Sequence, residues 1–402
     1  MDSYVILRNL GLTPAGDPFG GPTLGPSAQP GVGPEAPPEP RVDVEVLDRR
    51  DRADLMRDPE VAGVARLMPT RLIEPMASGG DDNGDEGPGD GVAWGVKAVR
   101  ADASEFTGKD VVVAVLDTGI DATHAAFAGM ELIEKDFSGS GNGDVQGHGT
   151  HCAGTIFGRD VDGTRIGVAR GVSKALIGKV LRNDGRGDSD MIFRGITWAV
   201  EGGANIVSMS LGFDFPGLVK RLTDQGWPTE LATSQALEAY RGNLRVFDSL
   251  MAMVHAREAF GSGTVLVAAA GNESRRDEDP NFEIAAGLPA AAEGMVSVGA
   301  LGRDGGKLSV APFSNTFPVV TAPGVDVVSA KVGGGLRKLN GTSMATPCVA
   351  GVVALWWESV QSLGLRASAP MVAAKLRANA RIDVFAPGHD AVDRGAGIVT
   401  AP

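Results

Sequence analysis

Four short stretches carry side chains that do chemistry when brought together. Val111-Val112-Val113-Ala114-Val115-Leu116 runs into Asp117-Thr118-Gly119, which sets a carboxylate at the end of an apolar, strand-like run. Open α/β sheets bind ligands at the carboxyl ends of their strands, and a glycine there lets the chain turn away. Gly147-His148-Gly149-Thr150-His151-Cys152-Ala153-Gly154-Thr155 holds an imidazole between two glycines, before small residues that suit a tightly packed helix with His148 at its start. Asn340-Gly341-Thr342-Ser343-Met344-Ala345-Thr346-Pro347 puts a hydroxyl after a glycine and ahead of an apolar run to Trp357. Ser343 is therefore expected at a buried helix start, its own N–H aimed at any oxyanion formed at Oγ, with Pro347 in the first helical turn. Val267-Ala268-Ala269-Ala270-Gly271-Asn272-Glu273 ends a further apolar run with an amide able to donate a second hydrogen bond to that oxyanion. Carboxylate, imidazole and hydroxyl are the parts of a nucleophilic acyl-transfer centre. Singly, each has a plainer reading: Asp117 as a turn cap, Ser343 or Thr342 as a helix N-cap, His151 as a packed structural histidine.

Positioning these groups requires a rigid frame, and the sequence supplies one. From Trp94 onward, apolar runs of about five residues (111–116, 175–181, 206–211, 265–270 and 295–301) alternate with helical or loop segments. Such runs suit strands buried on both faces of a parallel sheet with covering helices, an α/β architecture. Between Thr229 and Phe260, Leu244, Phe247, Leu250, Met251 and Val254 recur at helical spacing, which predicts one or two amphipathic helices.

Taken together, the four motifs resemble the subtilisin-like serine proteases (subtilases), in which Asp, His and Ser motifs occur in this order. The resemblance runs from about Trp94-Gly95-Val96 to Gly395-Ala396-Gly397-Ile398-Val399, and its most specific piece is the stretch GTSMATP. It implies a three-layer subtilisin-like fold with a largely parallel central sheet covered by helices on both faces, and a serine endopeptidase that works through an acyl-enzyme. Carried over residue by residue, Asp117 orients the imidazole, His148 moves the proton and Ser343 attacks the scissile carbonyl. Asn272 and the Ser343 N–H form the oxyanion hole. Extended polypeptide substrate would pair with Gly185-Arg186-Gly187 on one side and Ser210-Leu211-Gly212 on the other. A first specificity pocket would be walled by Ser210 to Gly212, Ala269, Ala270, Gly271 and Gly287, with Glu273 at its mouth. No cofactor is implied for the chemistry and no metal ligand is assigned. The resemblance implies structural calcium of the family's kind, with its usual high-affinity site incomplete: His124-Ala125-Ala126 supplies no carboxylate, and Asp160-Val161-Asp162-Gly163 offers only two.

The same resemblance divides the chain into residues 1–76, a small α+β region like a prosegment; 77–91, an acidic, Gly-rich connector; and 92–402, the catalytic domain with a helical insertion around 213–260. Within the first region, Tyr4 to Leu7 and Val42 to Leu47 read as strands, Arg49 to Arg57 as a helix stopped by Pro59, and Val61 to Ile73 as a further strand pair. Residues 11–40 hold nine of the 24 prolines and read as a flexible linker. The expectation is that residues 1–76 occupy the groove as an intramolecular inhibitor or chaperone, and that cutting in 77–91 or at Met76 releases activity. A partner-binding module that stays attached is the competing reading. For the insertion, a helical wall beside the groove and a solvent-facing decoration are both open.

Composition narrows the alternatives. In 402 residues, 37 basic against 50 acidic side chains leave a formal charge of −13, which argues against nucleic acid as a partner. No apolar stretch reaches the roughly 20 residues that span a membrane. Asp2 and the absence of a basic n-region argue against a secretory signal, and two cysteines are too few for a disulfide framework, so a reducing cytoplasm is expected. Cys152 and Cys348 read as small apolar packing groups on two helices that meet under the site. A Gly-x-Ser-x-Gly elbow is absent around Ser343, which argues against an esterase of another α/β fold. His148 in its full motif argues against a serine-carboxyl peptidase, and a subtilase scaffold that no longer cuts is the remaining alternative.

Overall fold

Alternation along the buried strands explains the layers. A computed structural model describes residues 2–10, 40–76, 91–259, 261 and 263–402; the proline-rich stretch 11–39 and connector residues 77–90 lie outside them. Val112–Asp117 is central to an eight-stranded sheet, flanked by Lys174–Lys179 and Ile206–Met209, both parallel to it. Val265–Ala269 and Val296–Asp304 extend it on one side and Glu131–Asp136 on the other, again in parallel. Val320–Pro323 adds a further parallel pairing to Val296–Asp304, and only Lys307–Val310 runs antiparallel. Successive side chains of a strand point to opposite faces. Val113, Val115, Ile177, Val265 and Val267 accordingly join one core, with the helices His148–Phe157 and Thr342–Ser362. Ala114, Leu116, Leu176, Leu266 and Ala268 join the other, with Ser189–Glu201 and Thr229–Ala256.

The N-terminal region forms its own three-stranded antiparallel sheet, Asp2–Asn9 lying between Pro40–Leu47 and Val61–Arg66. The helix Arg49–Leu55 is started by a capping box, in which Asp48 accepts from the Asp51 N–H and the Asp51 side chain accepts from the Asp48 N–H. Residues 61–73 do hold two strands, but they are not paired with each other. Val61–Arg66 stays in this sheet, whereas Pro69–Leu72 joins a separate three-stranded sheet, between Arg186–Asp188 and Leu211–Phe213.

The 213–260 stretch meets the groove strand at its start, where Asp214 N donates to Pro69 O, and the N-terminal sheet further along. It forms the helices Phe215–Asp224 and Thr229–Ala256, and the longer one carries the N-terminal sheet. A Cβ at Gly63 would fall 3.1 Å from Val246 Cγ2, Asn243 Nδ2 donates to Arg66 O at 2.9 Å, and Ser249 Oγ donates to Ala62 O at 3.2 Å. Val5, Leu7 and Ala65 share one core with Val246 and Phe247. Tyr240 on the same helix also accepts a hydrogen bond from Leu288 N at 2.9 Å, tying the platform to the loop behind Gly287.

Candidate active site

Asp117 ends the central strand and is 1% exposed. Its two carboxylate oxygens lie 2.8 and 3.0 Å from His148 Nδ1, so that nitrogen carries the proton and donates. Thr118 N also donates to Asp117 Oδ1 at 2.7 Å. His148 is the first residue of its helix, reached through Gly147 at φ 89°, a left-handed conformation that favours glycine. A second buried carboxylate, Asp144, fixes this junction. It accepts from Thr118 Oγ1 (2.9 Å) and Gly147 N (2.7 Å) through one oxygen, and from Thr150 N (2.9 Å) and Thr150 Oγ1 (2.7 Å) through the other. Reading the sequence missed Asp144, an acid four residues before His148 whose next neighbour, Val145, is 71% exposed. His148 Nε2 is buried without a hydrogen-bond partner. His151 is a packed group, with Nε2 on Val327 O at 3.0 Å, and burial pushes it down to about 3.

Ser343 is the second residue of the helix Thr342–Ser362. Its Oγ donates to Ile73 O at 3.0 Å, and Ser210 O lies further off at 3.5 Å. Pro347 is not in the first turn: it is the sixth residue of the helix. A proline there removes the hydrogen bond normally made to the carbonyl four residues back. That carbonyl is Ser343 O, and it accepts instead from Ser210 Oγ at 3.0 Å and Cys152 Sγ at 3.5 Å. Asn272 is held by its oxygen, which accepts from Thr342 N (2.9 Å) and Thr342 Oγ1 (2.8 Å). Its Nδ2 is thereby turned outward, where it donates to Glu74 O at 3.0 Å.

The groove around these groups holds the chain's own Pro69–Leu72. This strand lies antiparallel between Arg186–Asp188 and Leu211–Phe213, with Leu72 opposite Leu211, Arg71 opposite both Gly212 and Arg186, and Thr70 opposite Gly187. Leu72 N donates to Gly185 O at 2.7 Å, and Met76 N donates to Asn340 O at 2.8 Å. The close approach needs glycine, since a Cβ at Gly187 would fall 2.8 Å from Thr70 Oγ1. A Cβ at Gly212 would meet Ile73 Cγ1 at 3.5 Å, so the Ile73 side chain lies against that strand. Ala269 and Ala270 are buried, and Ala270 O accepts from Gly287 N at 3.2 Å. Gly271 N donates to Thr342 Oγ1 at 3.2 Å. Gly185, Arg186, Gly187, Ser210, Leu211, Gly212, Ala269, Ala270, Gly271 and Gly287 thus surround or back the groove.

Two tests bear on metals. The calcium donors weighed from the resemblance do not converge: Ala126 is buried and apolar, Asp160 lies 3.5 Å from Arg170, and among the described residues neither Asp160 nor Asp162 belongs to a group of three ligating side chains close enough to share an ion. These residues do not fit the cation. Among the described residues, Asp117, His148 and Cys152 are the one group of His, Cys and acidic side chains close enough to share an ion. There, however, the Nδ1 proton already occupies the space between imidazole and carboxylate. Burial, with the Asp117 charge second, pushes the Cys152 thiol well up, and burial pushes Cys348 up to about 12, so both are neutral packing groups.

Comparison with known proteins agrees with this geometry. A family model described as the subtilase family (Peptidase_S8) matches residues 108–398. Subtilisin DY of Bacillus licheniformis is 33% identical over 270 residues, which are 66% of this chain and 84% of that protein. The intracellular serine protease of Paenibacillus polymyxa is 33% identical over 271 residues, covering 65% of this chain and 71% of its own. Subtilisin-like protease 6 of Trichophyton verrucosum is 34% identical over 248 residues, 61% of this chain, and the match spans about half (51%) of that relative's length.

Proposed function

This chain belongs to the subtilase family of subtilisin-like serine proteases, and on that premise we propose that it cuts polypeptides through Asp117, His148 and Ser343 and is made as a self-inhibited zymogen. The observation that carries the reading is the buried pairing of Asp117 with His148 Nδ1 at 2.8 Å, beside a serine whose Oγ contacts a main-chain carbonyl in the groove. In the reaction, His148 Nε2 takes the Ser343 Oγ proton as Oγ attacks the carbonyl, and Asp117 stabilises the imidazolium. Asn272 Nδ2 and the Ser343 N–H hold the oxyanion. Collapse passes the proton to the leaving amine, and water releases the acyl group by the same steps. His148 Nε2 has no partner while Ser343 Oγ is turned to Ile73 O. Catalytic hydrogen bonds of this kind tighten when productive substrate binds.

The inhibition reading rests on a split register. A carbonyl under attack must face the nucleophile and the oxyanion donors at once. Here Ser343 Oγ meets Ile73 O while Asn272 Nδ2 meets Glu74 O. The segment therefore fills the groove with neither peptide bond in position for attack. We further assign residues 1–76 as the inhibitory region, the stretch near 77–91 as the site of activating cleavage, and 92–402 as the catalytic domain. Cutting the connector turns an intramolecular contact, with an effective concentration of roughly millimolar, into a bimolecular one that dilution and substrate can displace. The test is to trim the protein, separate the pieces and add residues 1–76 back in excess: peptide hydrolysis should fall, and unchanged hydrolysis would rule out inhibition. The two free, buried cysteines and the similarity to a protein named intracellular serine protease support work in the cytoplasm; recovery of the chain outside fractionated cells would overturn that placement.

A further inference from the structure

Arg71 occupies the groove strand two residues before Ile73, with its neighbours Thr70 and Leu72 buried. Its own side chain, 41% exposed, lies beside two carboxylates from different parts of the fold. Arg71 Nη2 is 3.4 Å from Glu273 Oε1, and Arg71 Nε is 3.8 Å from Asp214 Oδ1. Both acids are fixed without the arginine. Glu273 Oε2 accepts from Asn315 Nδ2 at 2.8 Å, and Asn315 Oδ1 accepts from Glu273 N at 3.1 Å. Asp214 caps the ten-residue helix Phe215–Asp224, accepting from Gly217 N at 3.0 Å, and its own N–H donates to Pro69 O at 2.9 Å. A helix N-terminus favours a negative charge, which suits Asp214 to face a cation. Opposite Arg71 on one flanking strand stands Arg186, an exposed like charge. On the other flank stands Gly212, which has no side chain and leaves the way to the two acids open.

We propose that Asp214 and Glu273 form a subsite that selects a basic side chain, arginine or lysine, at the third residue before the cleaved bond, and that Arg71 fills it in the inhibited state. The inference rests on the peptidase reading above, with Ile73 marking the residue that supplies the acyl group. The two carboxylates are oriented by Asn315 and by a helix start rather than by Arg71. Both are part-exposed, at 25% for Asp214 and 40% for Glu273, so the preference is modest and weakens with salt.

The experiment presents full-length protein with an equimolar mixture of two peptides, one carrying Thr-Arg-Leu-Ile and the other Thr-Gln-Leu-Ile before the cleaved bond, and reads both products by mass spectrometry. The ratio of cleavage rates is independent of how often the groove opens, since both peptides compete for the same open enzyme. The arginine peptide should be cut about fivefold faster at low salt. That advantage should shrink towards one in 0.5 M NaCl and in the double variant Asp214→Asn/Glu273→Gln. A ratio near one in wild type, or one unchanged by the double variant, overturns the proposal. If neither peptide is cut, either by the intact chain or after the connector is cut and residues 1–76 are removed, the peptidase reading is what fails, and the subsite is decided by hydrogen exchange of residues 69–73 in the intact chain. Arg71→Gln should then speed exchange several-fold in the wild-type background and not in the double variant; equal acceleration in both would overturn the subsite.

Discussion

Asn272 is gripped at one end of its amide by Thr342, so the other end is aimed before any charge develops. Pre-orientation of this kind stabilises a transition state without reorganisation. Asn272→Ala should lower kcat by about 10²–10³, the size established for subtilisin's own oxyanion-hole donor rather than a value derived from this chain. Ser343→Ala should cost more, and equal losses in a peptide assay would contradict the assignment. His151 makes a different prediction, about stability. Its ordinary value is 6.5 and burial holds it at about 3 in the fold. Below pH 6.5 the unfolded chain therefore binds a proton that the native chain refuses until about pH 3, and stability falls as pH drops through that window. The slope for one proton is about 1.4 kcal/mol per pH unit. His151→Gln, which keeps a donor for Val327 O, should lose that slope in urea titrations from pH 7 to 4; identical slopes would refute the buried neutral histidine. At this scale the residue types of Asp117, His148, Ser343 and Asn272 were legible because their neighbours are so restrictive. Asp144 was not, because nothing in its immediate neighbours shows that its carboxylate ties a strand end to a helix start.

The elements explain which readings carried and which did not. The five apolar runs of the catalytic region fall on five sheet strands, since a strand buried on both faces has no polar side to blur it. The helical spacing of Leu250, Met251 and Val254 identified a buried face of Thr229–Ala256, but periodicity cannot say what covers it. Its cover includes the N-terminal sheet, contributed from some 180 residues earlier. Pro347 was placed too early because propensity assigns proline to a first turn, whereas here Ser210 and Cys152 satisfy the carbonyl it leaves free. The platform contact can be tested by a wedge. Gly63→Leu adds a side chain where even a Cβ would be 3.1 Å from Val246, and should lift Val61–Arg66 off the helix. Because that sheet leads directly into the groove strand, the intact variant should hydrolyse peptides faster than wild type. An unchanged basal rate, with the variant folded by circular dichroism, would mean that the platform does not set groove occupancy.

In the whole molecule, the N-terminal and catalytic regions are joined through one shared core and through the groove strand, so inhibition and folding use the same surface. This union was only half legible. The composition of 77–91 marked a boundary, and the resemblance suggested a prosegment, but the crossing of Pro69–Leu72 into a second sheet depends on pairing between residues more than 100 apart. Ser343, as proposed, is an activated nucleophile lying beneath the chain's own residues 69–76. Intact-mass measurement of fluorophosphonate labelling tests it most directly, on full-length protein, on protein cut within 77–90 and freed of residues 1–76, and on Ser343→Ala. A single adduct is expected, slow in the intact chain, faster after the cut and absent from Ser343→Ala. An adduct that persists in Ser343→Ala, or no adduct on wild type even after residues 1–76 are removed, would contradict it.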